Sequence, residues 1–239
     1  QITKITDLTS PSTEAYADLS PGDSGFEELR AIGEQDSYAW SPDGSQLAFS
    51  GLMDGPSADI YLYTVQTGTI TRVSQDPAQD FAPSWSPDGN HLLFLAADAF
   101  GTGAGWAMSG VWAADGTGSN PTQLFPSDSA AEEIIGWLDD TTAVLSSWDQ
   151  PCGSQKLRLH DLESNQVTML YADCFNSAAA NGYFGDVLYA NSSGIFQLTA
   201  EDRTPTQVDS NGDVYIEPIY PGDQVFVVRY TSGGIATFG

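Results

Sequence analysis

Short apolar runs alternate along the chain with clusters of Gly, Pro, Asp and Ser. Tyr38-Ala39-Trp40 enters the cluster Ser41-Pro42-Asp43-Gly44-Ser45, and Gln46-Leu47-Ala48-Phe49 leaves it. Two such runs about a turn cluster predict a β-hairpin. The turn chemistry is that of a type I turn: Ser first, Pro with its φ preset, Asp next, Gly last. A second hairpin follows, with Asp59 to Val65, the turn Gln66-Thr67-Gly68, and Thr69 to Val73. The pattern therefore predicts four antiparallel strands in succession.

The pattern recurs. Pro83-Ser84-Trp85-Ser86-Pro87-Asp88-Gly89-Asn90-His91-Leu92-Leu93-Phe94 aligns with the first copy, its Trp 45 residues further on. Ile134 to Leu145 keeps the Trp, at 137, and an acidic turn, Asp139-Asp140. Its second hairpin is Lys156 to Asp161 and Gln166 to Leu170. Gly185-Asp186 and Pro221-Gly222-Asp223 are degenerate turns, each followed by an apolar strand. Four strands per period of about 45 residues is the pattern of a β-propeller blade.

Trp-Ser-Pro-Asp-Gly followed by such a strand resembles the TolB-type β-propeller repeat family, a repeat also found in propellers of prolyl-oligopeptidase-like peptidases. The resemblance implies an all-β fold. It transfers no catalytic role, because the motif residues are turn and packing residues. Anchors near residues 40, 85, 137, 184 and 220 predict one propeller domain over 1–239 with five four-stranded blades in 37–239; six blades is the alternative. Gln1-Ile2-Thr3-Lys4-Ile5-Thr6 resembles the outer strand Thr69 to Ser74. Residues 1–9 are thus expected to close the ring by completing the last blade, leaving no open edge. Residues 10–36 carry seven acids and one Arg, and are an acidic insertion or a degenerate sixth blade.

Charge narrows the partners. With 32 Asp plus Glu against 7 Lys plus Arg, the net charge is −25, which opposes binding to nucleic acid or anionic lipid. Many of the Asp residues stand beside Gly, Pro or Ser and serve turns. Apolar stretches such as Leu92 to Ala97 are far shorter than the roughly 20 residues that span a bilayer, so direct membrane insertion is not expected. Gln1 to Ser10 lacks the pattern of a signal peptide.

In a blade, the loops joining strands two and three share a face with the connections between blades. On that face the sequence gathers Asp98, Phe100 and Trp106 in the glycine-rich stretch 97–110, Trp148 and Asp149 in 146–155, and Asp173. Exposed Phe and Trp in loops point to a partner surface. Phe100, Trp106 and Trp148, rimmed by Asp98, Asp149 and Asp173, are the candidate contacts for a protein or glycan; the alternative is that the aromatics cap neighbouring blades.

Cys152 and Cys174 fall on that same face and are expected to form a disulfide, which implies an oxidising compartment. Closing that loop contributes about 3 kcal/mol on the chain-entropy account. Asp209, Asn211 and Asp213 place oxygen at alternate positions, as a calcium loop begins, but Tyr220 stands where its bidentate Glu belongs. They are candidate calcium ligands, with an ordinary turn as the alternative; no other cofactor is expected. His91 and His160 sit in strands and are read as structural. No Gly-x-Ser-x-Gly elbow occurs in the chain. Asn191-Ser192-Ser193 is a glycosylation sequon.

These observations rank three functions. First is a secreted, cell-surface or periplasmic binding scaffold without chemistry. Second is a carbohydrate-active propeller, hydrolase or lyase, using central carboxylates. Third is a structural subunit of a cell-surface assembly.

Overall fold

A computed structural model describes residues 3–8, 37–54, 57–99, 106–124, 131–149, 154–170, 177–180, 186–210, 214–218, 225–231 and 234–235. They fall into two compact units, 1–130 and 131–239.

The first unit holds two antiparallel sheets, each a meander in chain order. One is β1 (Tyr38–Trp40), β2 (Gln46–Gly51), β3 (Asp59–Thr64) and β4 (Thr69–Arg72). The other is β5 (Gln79–Trp85), β6 (His91–Ala99), β7 (Trp106–Asp115) and β8 (Thr122–Gln123). The two repeat turns carry the same hydrogen bonds. Gly44 N donates to Ser41 O and Gly89 N to Ser86 O, both at 2.9 Å. Ser41 Oγ donates to Asp43 Oδ1 at 2.7 Å, and Ser86 Oγ to Asp88 Oδ1 at 2.6 Å. Gln46 N and His91 N donate back to those serine hydroxyls at 2.9 Å. Gly44 and Gly89 have φ of 70° and 73°, the left-handed conformation that glycine adopts without cost.

Between the sheets lies one apolar core: Ala48, Ile60, Leu62 and Val73 from the first side, Trp85, Leu92, Phe94 and Ala114 from the second. The β7–β8 turn clasps the first sheet. Gln46 Nε2 donates to Gly116 O at 2.9 Å, and a Cβ on Gly118 would meet Leu62 and Val73 at 2.8 Å. β5 leaves its ladder between Phe81 and Ser84, where Ala82 has φ of 51°.

The second unit has a sheet of β9 (Ala131–Trp137), β10 (Thr142–Asp149), β11 (Ser154–Asp161) and β12 (Gln166–Met169). A second contains β13 (Ser177–Ala180), β14 (Asp186–Asn191), β15 (Gly194–Thr199) and β16 (Thr206–Asp209). A three-stranded one follows: β17 (Val214–Pro218), β18 (Val225–Thr231) and β19 (Gly234–Ile235). Leu138, Val144, Leu157, Leu159, Val187, Tyr189 and Leu198 form its buried core. The degenerate turn after Trp137 keeps its carboxylate: Asp139 Oδ1 accepts from Thr141 N at 3.0 Å and Thr142 N at 2.7 Å.

The all-β class and the succession of four-stranded sheets follow the expectation from the repeat. Residues 3–8, however, carry no strand, and Leu8 O accepts from Leu52 N at 2.7 Å, beside the end of β2. Residues 10–36 lie outside the described residues.

Candidate functional site

The hairpin tips differ from the loops that the sequence suggested. β6 and β7 stay paired as far as Ala99 and Trp106, so Asp98 and Trp106 are strand residues. Likewise β10 and β11 pair to Asp149 and Ser154, which puts Trp148 and Asp149 in a strand. The glycines and aromatics of the sequence suggested loop, but the ladder runs on through Met108 and Ala107, paired with Ala97 and Asp98. A register shift between Ala96 and Ala97 absorbs the extra residue. Asp98 is exposed. Both pairs, Asp98 with Trp106 and Trp148 with Asp149, occupy the same place in their sheets, the far end of the second-to-third-strand hairpin. Phe100, Asp173, Cys152, Cys174, Asn211 and Asp213 lie outside the described residues. Asp209 ends β16, opposite Ile195.

The electrostatically unusual part of the first unit lies at the same loop end, where β3 and β5 begin. Asp59 and Asp80 have no exposed surface. Arg72 Nη2 donates to Asp59 Oδ2 at 2.7 Å, and its Nε donates to Ser74 O at 2.9 Å. Tyr61 donates its hydroxyl to Asp54 at 3.3 Å and stacks on Phe49 at 5.8 Å between ring centroids. Burial pushes the Asp59 carboxyl up to about 6 despite the hydrogen bond and charge of Arg72. Burial, then the charges of Asp59 and Asp54, pushes the Tyr61 hydroxyl up to about 12.

Main-chain bonds knit this corner. Asp80 N donates to Ala58 O, and Ala58 N to Gln79 Oε1, each at 2.8 Å. Ile60 N donates to Ser74 Oγ at 2.9 Å, and Val73 N to Ile60 O at 2.8 Å. No motif in the sequence marks this cluster. Its signal was an acid standing directly before apolar residues, Asp59 before Ile60-Tyr61-Leu62 and Asp80 before Phe81-Ala82.

Among the described residues no three His, Cys, Asp or Glu side chains converge as metal ligands. His160 is buried, and its Nε2 lies 3.1 Å from Asn165 Oδ1. Burial holds its pKa below the ordinary value, which fits a packing role. Asn191 is buried too, with Oδ1 accepting from Ser193 N at 2.7 Å, so the sequon is not presented for glycosylation in the folded chain.

No family model matches the chain. It is 40% identical over 63 residues to the Tol-Pal system protein TolB of Alcanivorax borkumensis, a stretch that is 26% of this chain and 14% of that protein. Over 54 residues it is 37% identical to an uncharacterized peptidase, YuxL, of Bacillus subtilis, covering 23% of this chain and 8% of that one. Both matches thus span a small part of the relatives' length. Among solved structures, dipeptidyl peptidase 4 of Porphyromonas gingivalis aligns over 80% of this chain and 35% of its own, with a TM-score of 0.56 and 13% identity. That likeness is one of fold. The chain is propeller-like in its sheets, and its sequence is similar to that TolB over those 63 residues.

Proposed function

We propose that the chain is a non-catalytic binding propeller of the cell envelope or exterior, a scaffold that holds a protein partner at its hairpin tips. The five sheets are counted as its blades. The observation that carries this reading is the 40% identity to a Tol-Pal system component over 63 residues. The regular repeat turns support it, since their functional groups are consumed by their own hydrogen bonds. Among the described residues no helix is long and apolar enough to cross a membrane. The proposed contact residues are Phe100, Trp106 and Trp148, with Asp98, Asp149 and Asp173 at the rim, and a disulfide between Cys152 and Cys174 pins the loops beside them. A calcium ion at Asp209, Asn211 and Asp213 belongs to the same proposal and is tested by calorimetric titration.

The test of the main reading is capture of partners from envelope and extracellular extracts by the immobilised chain, read by mass spectrometry. One protein retained at high salt, and lost with Trp106→Ala or Trp148→Ala, is the expected result. Retention that ignores both substitutions moves the contact away from the hairpin tips; no retained protein at any salt overturns the scaffold reading.

A second reading has its own observation, the 37% identity to the Bacillus subtilis peptidase. In it the sheets are the propeller part of a longer peptidase. Peptide hydrolysis by the full-length gene product, absent from the chain alone, selects it.

A further inference from the structure

Three carboxylate oxygens at the corner of the first unit are buried with no hydrogen-bond partner: both oxygens of Asp80 and Oδ1 of Asp59. Charged and polar groups of the first sheet and of its connection to β5 act on Asp80. They are Asp59 of β3, Arg72 of β4, and Ser74 and Asp76 of the connection from β4 to β5. Asp54 of the β2–β3 loop and Tyr61 of β3 act on Asp59 in turn. Arg72 is the one cation of this set, and it is committed to Asp59 and to Ser74 O. An ionised Asp80 would therefore have neither solvent nor a cation of its own, which is a costly state for a buried charge. A protonated Asp80 is uncharged and avoids that cost.

Its position gives the proton a mechanical consequence. Asp80 is the second residue of β5, where it pairs with Ala96 of β6, and residues 73–80 are joined to 57–60 by the packing of Val73 with Ile60 in the core and by hydrogen bonds: Asp80 N to Ala58 O, Val73 N to Ile60 O, Ile60 N to Ser74 Oγ, Ala58 N to Gln79 Oε1 and Ser57 Oγ to Asp76 O. Beyond it β5 leaves its ladder at Ala82, in a left-handed conformation that costs energy for a residue other than glycine. We propose that Asp80 is a proton-operated latch: neutral, it lies inside the closed connection, and on losing its proton to solvent it draws residues 73–80 away from 57–60 to reach water. Burial, reinforced by Asp76 and Asp59 and opposed by the Ser74 hydroxyl and Arg72, pushes its pKa up to about 8. The latch therefore operates in the mildly alkaline range.

Hydrogen exchange of the whole chain at about pH 6 and about pH 9, corrected for intrinsic exchange, tests this. One unit above the midpoint the ionised form leads by about tenfold. Two units below it the ionised form is about one part in a hundred, so the amides of Ala58, Ile60, Val73 and Asp80 should lose about a hundredfold more protection between the two pH values than those in the middle of β6. Asp80→Asn should abolish the difference. Equal protection at both pH values, or a variant that behaves as the parent chain does, overturns the latch. Should Asp80→Asn fail to fold, carbon-13 labelling of aspartate in the unaltered chain decides. A buried carboxyl titrating near pH 8 together with loss of amide protection at 58, 60, 73 and 80 over the same range upholds the proposal, and titration of every carboxyl in the ordinary acid range, or titration without that loss, overturns it.

Discussion

Trp85 donates its indole N–H to the main-chain carbonyl of Ala39, 3.2 Å away, tying the first strand of the second sheet to the first strand of the first. Trp40 holds the same place in its own repeat but is 47% exposed, against 6% for Trp85. The two residues share a turn and differ in cover, so their truncation should separate packing from turn chemistry. Trp85→Ala should cost about 3–5 kcal/mol, as large aromatic deletions in cores do. Trp85→Phe should cost about 1 kcal/mol through the orphaned carbonyl. Trp40→Ala should stay near 1 kcal/mol. Urea unfolding of the three variants checks the order.

Glycines of like conformation should respond unlike one another. Gly68 and Gly118 have φ of 69° and 75°. A Cβ on Gly68 meets nothing within 4 Å, whereas one on Gly118 meets Leu62 and Val73 at 2.8 Å. Gly68→Ala should cost about 1 kcal/mol for the backbone alone. Gly118→Ala should add the roughly 1–3 kcal/mol of an overpacked core. Equal midpoints in denaturant would contradict this account of the β7–β8 turn.

Stability should peak on the acid side of neutrality. Asp115 and Asp161 are held below the ordinary carboxylate range, the first by the hydroxyl of Thr117, the second by the main-chain N–H of Ser164. Their contribution is present above about pH 4 and is lost as pH falls through their folded values. Asp59 and Asp80 are shifted the other way, to about 6 and about 8. Their contribution is complete below about pH 4 and declines as pH rises through those values. Denaturation from about pH 3 to about pH 9 should give a maximum near pH 5, and Asp80→Asn should flatten the alkaline limb.

Arg203 joins two sheets of the second unit, with Nη2 2.7 Å from Asp139 Oδ2 and 3.1 Å from Thr142 Oγ1. Its side chain is 47% exposed, which places the pair among weak surface bridges. Arg203→Ala should cost less than about 1 kcal/mol, and salt should shrink the difference further. Thermal midpoints in low and high salt measure it.

Much of the fold was legible because turn chemistry is local. Ser41, Pro42, Asp43 and Gly44 need only their own neighbours to fix a hairpin, and Ser86 to Gly89 repeat them. The apolar runs after each turn then fall into one meander. The hairpin tips were less legible, because ladder length depends on pairing across strands. Composition marked 97–110 as loop, whereas Ala99 and Trp106 are partners. The Asp59–Arg72–Asp80 corner was hidden for a related reason. Each acid resembles one more turn carboxylate until the contact between β3, β4 and β5 removes it from water.

The grip of Gly116 and Gly118 on the first sheet bears on how such repeats can be recombined. A repeat cut at its Trp turns and grafted into another propeller would leave Gln46, Leu62 and Val73 facing a foreign hairpin. Transplantation should succeed only when residues 115–119 travel with the preceding sheet, so the exchangeable module is one sheet together with the next sheet's outer turn.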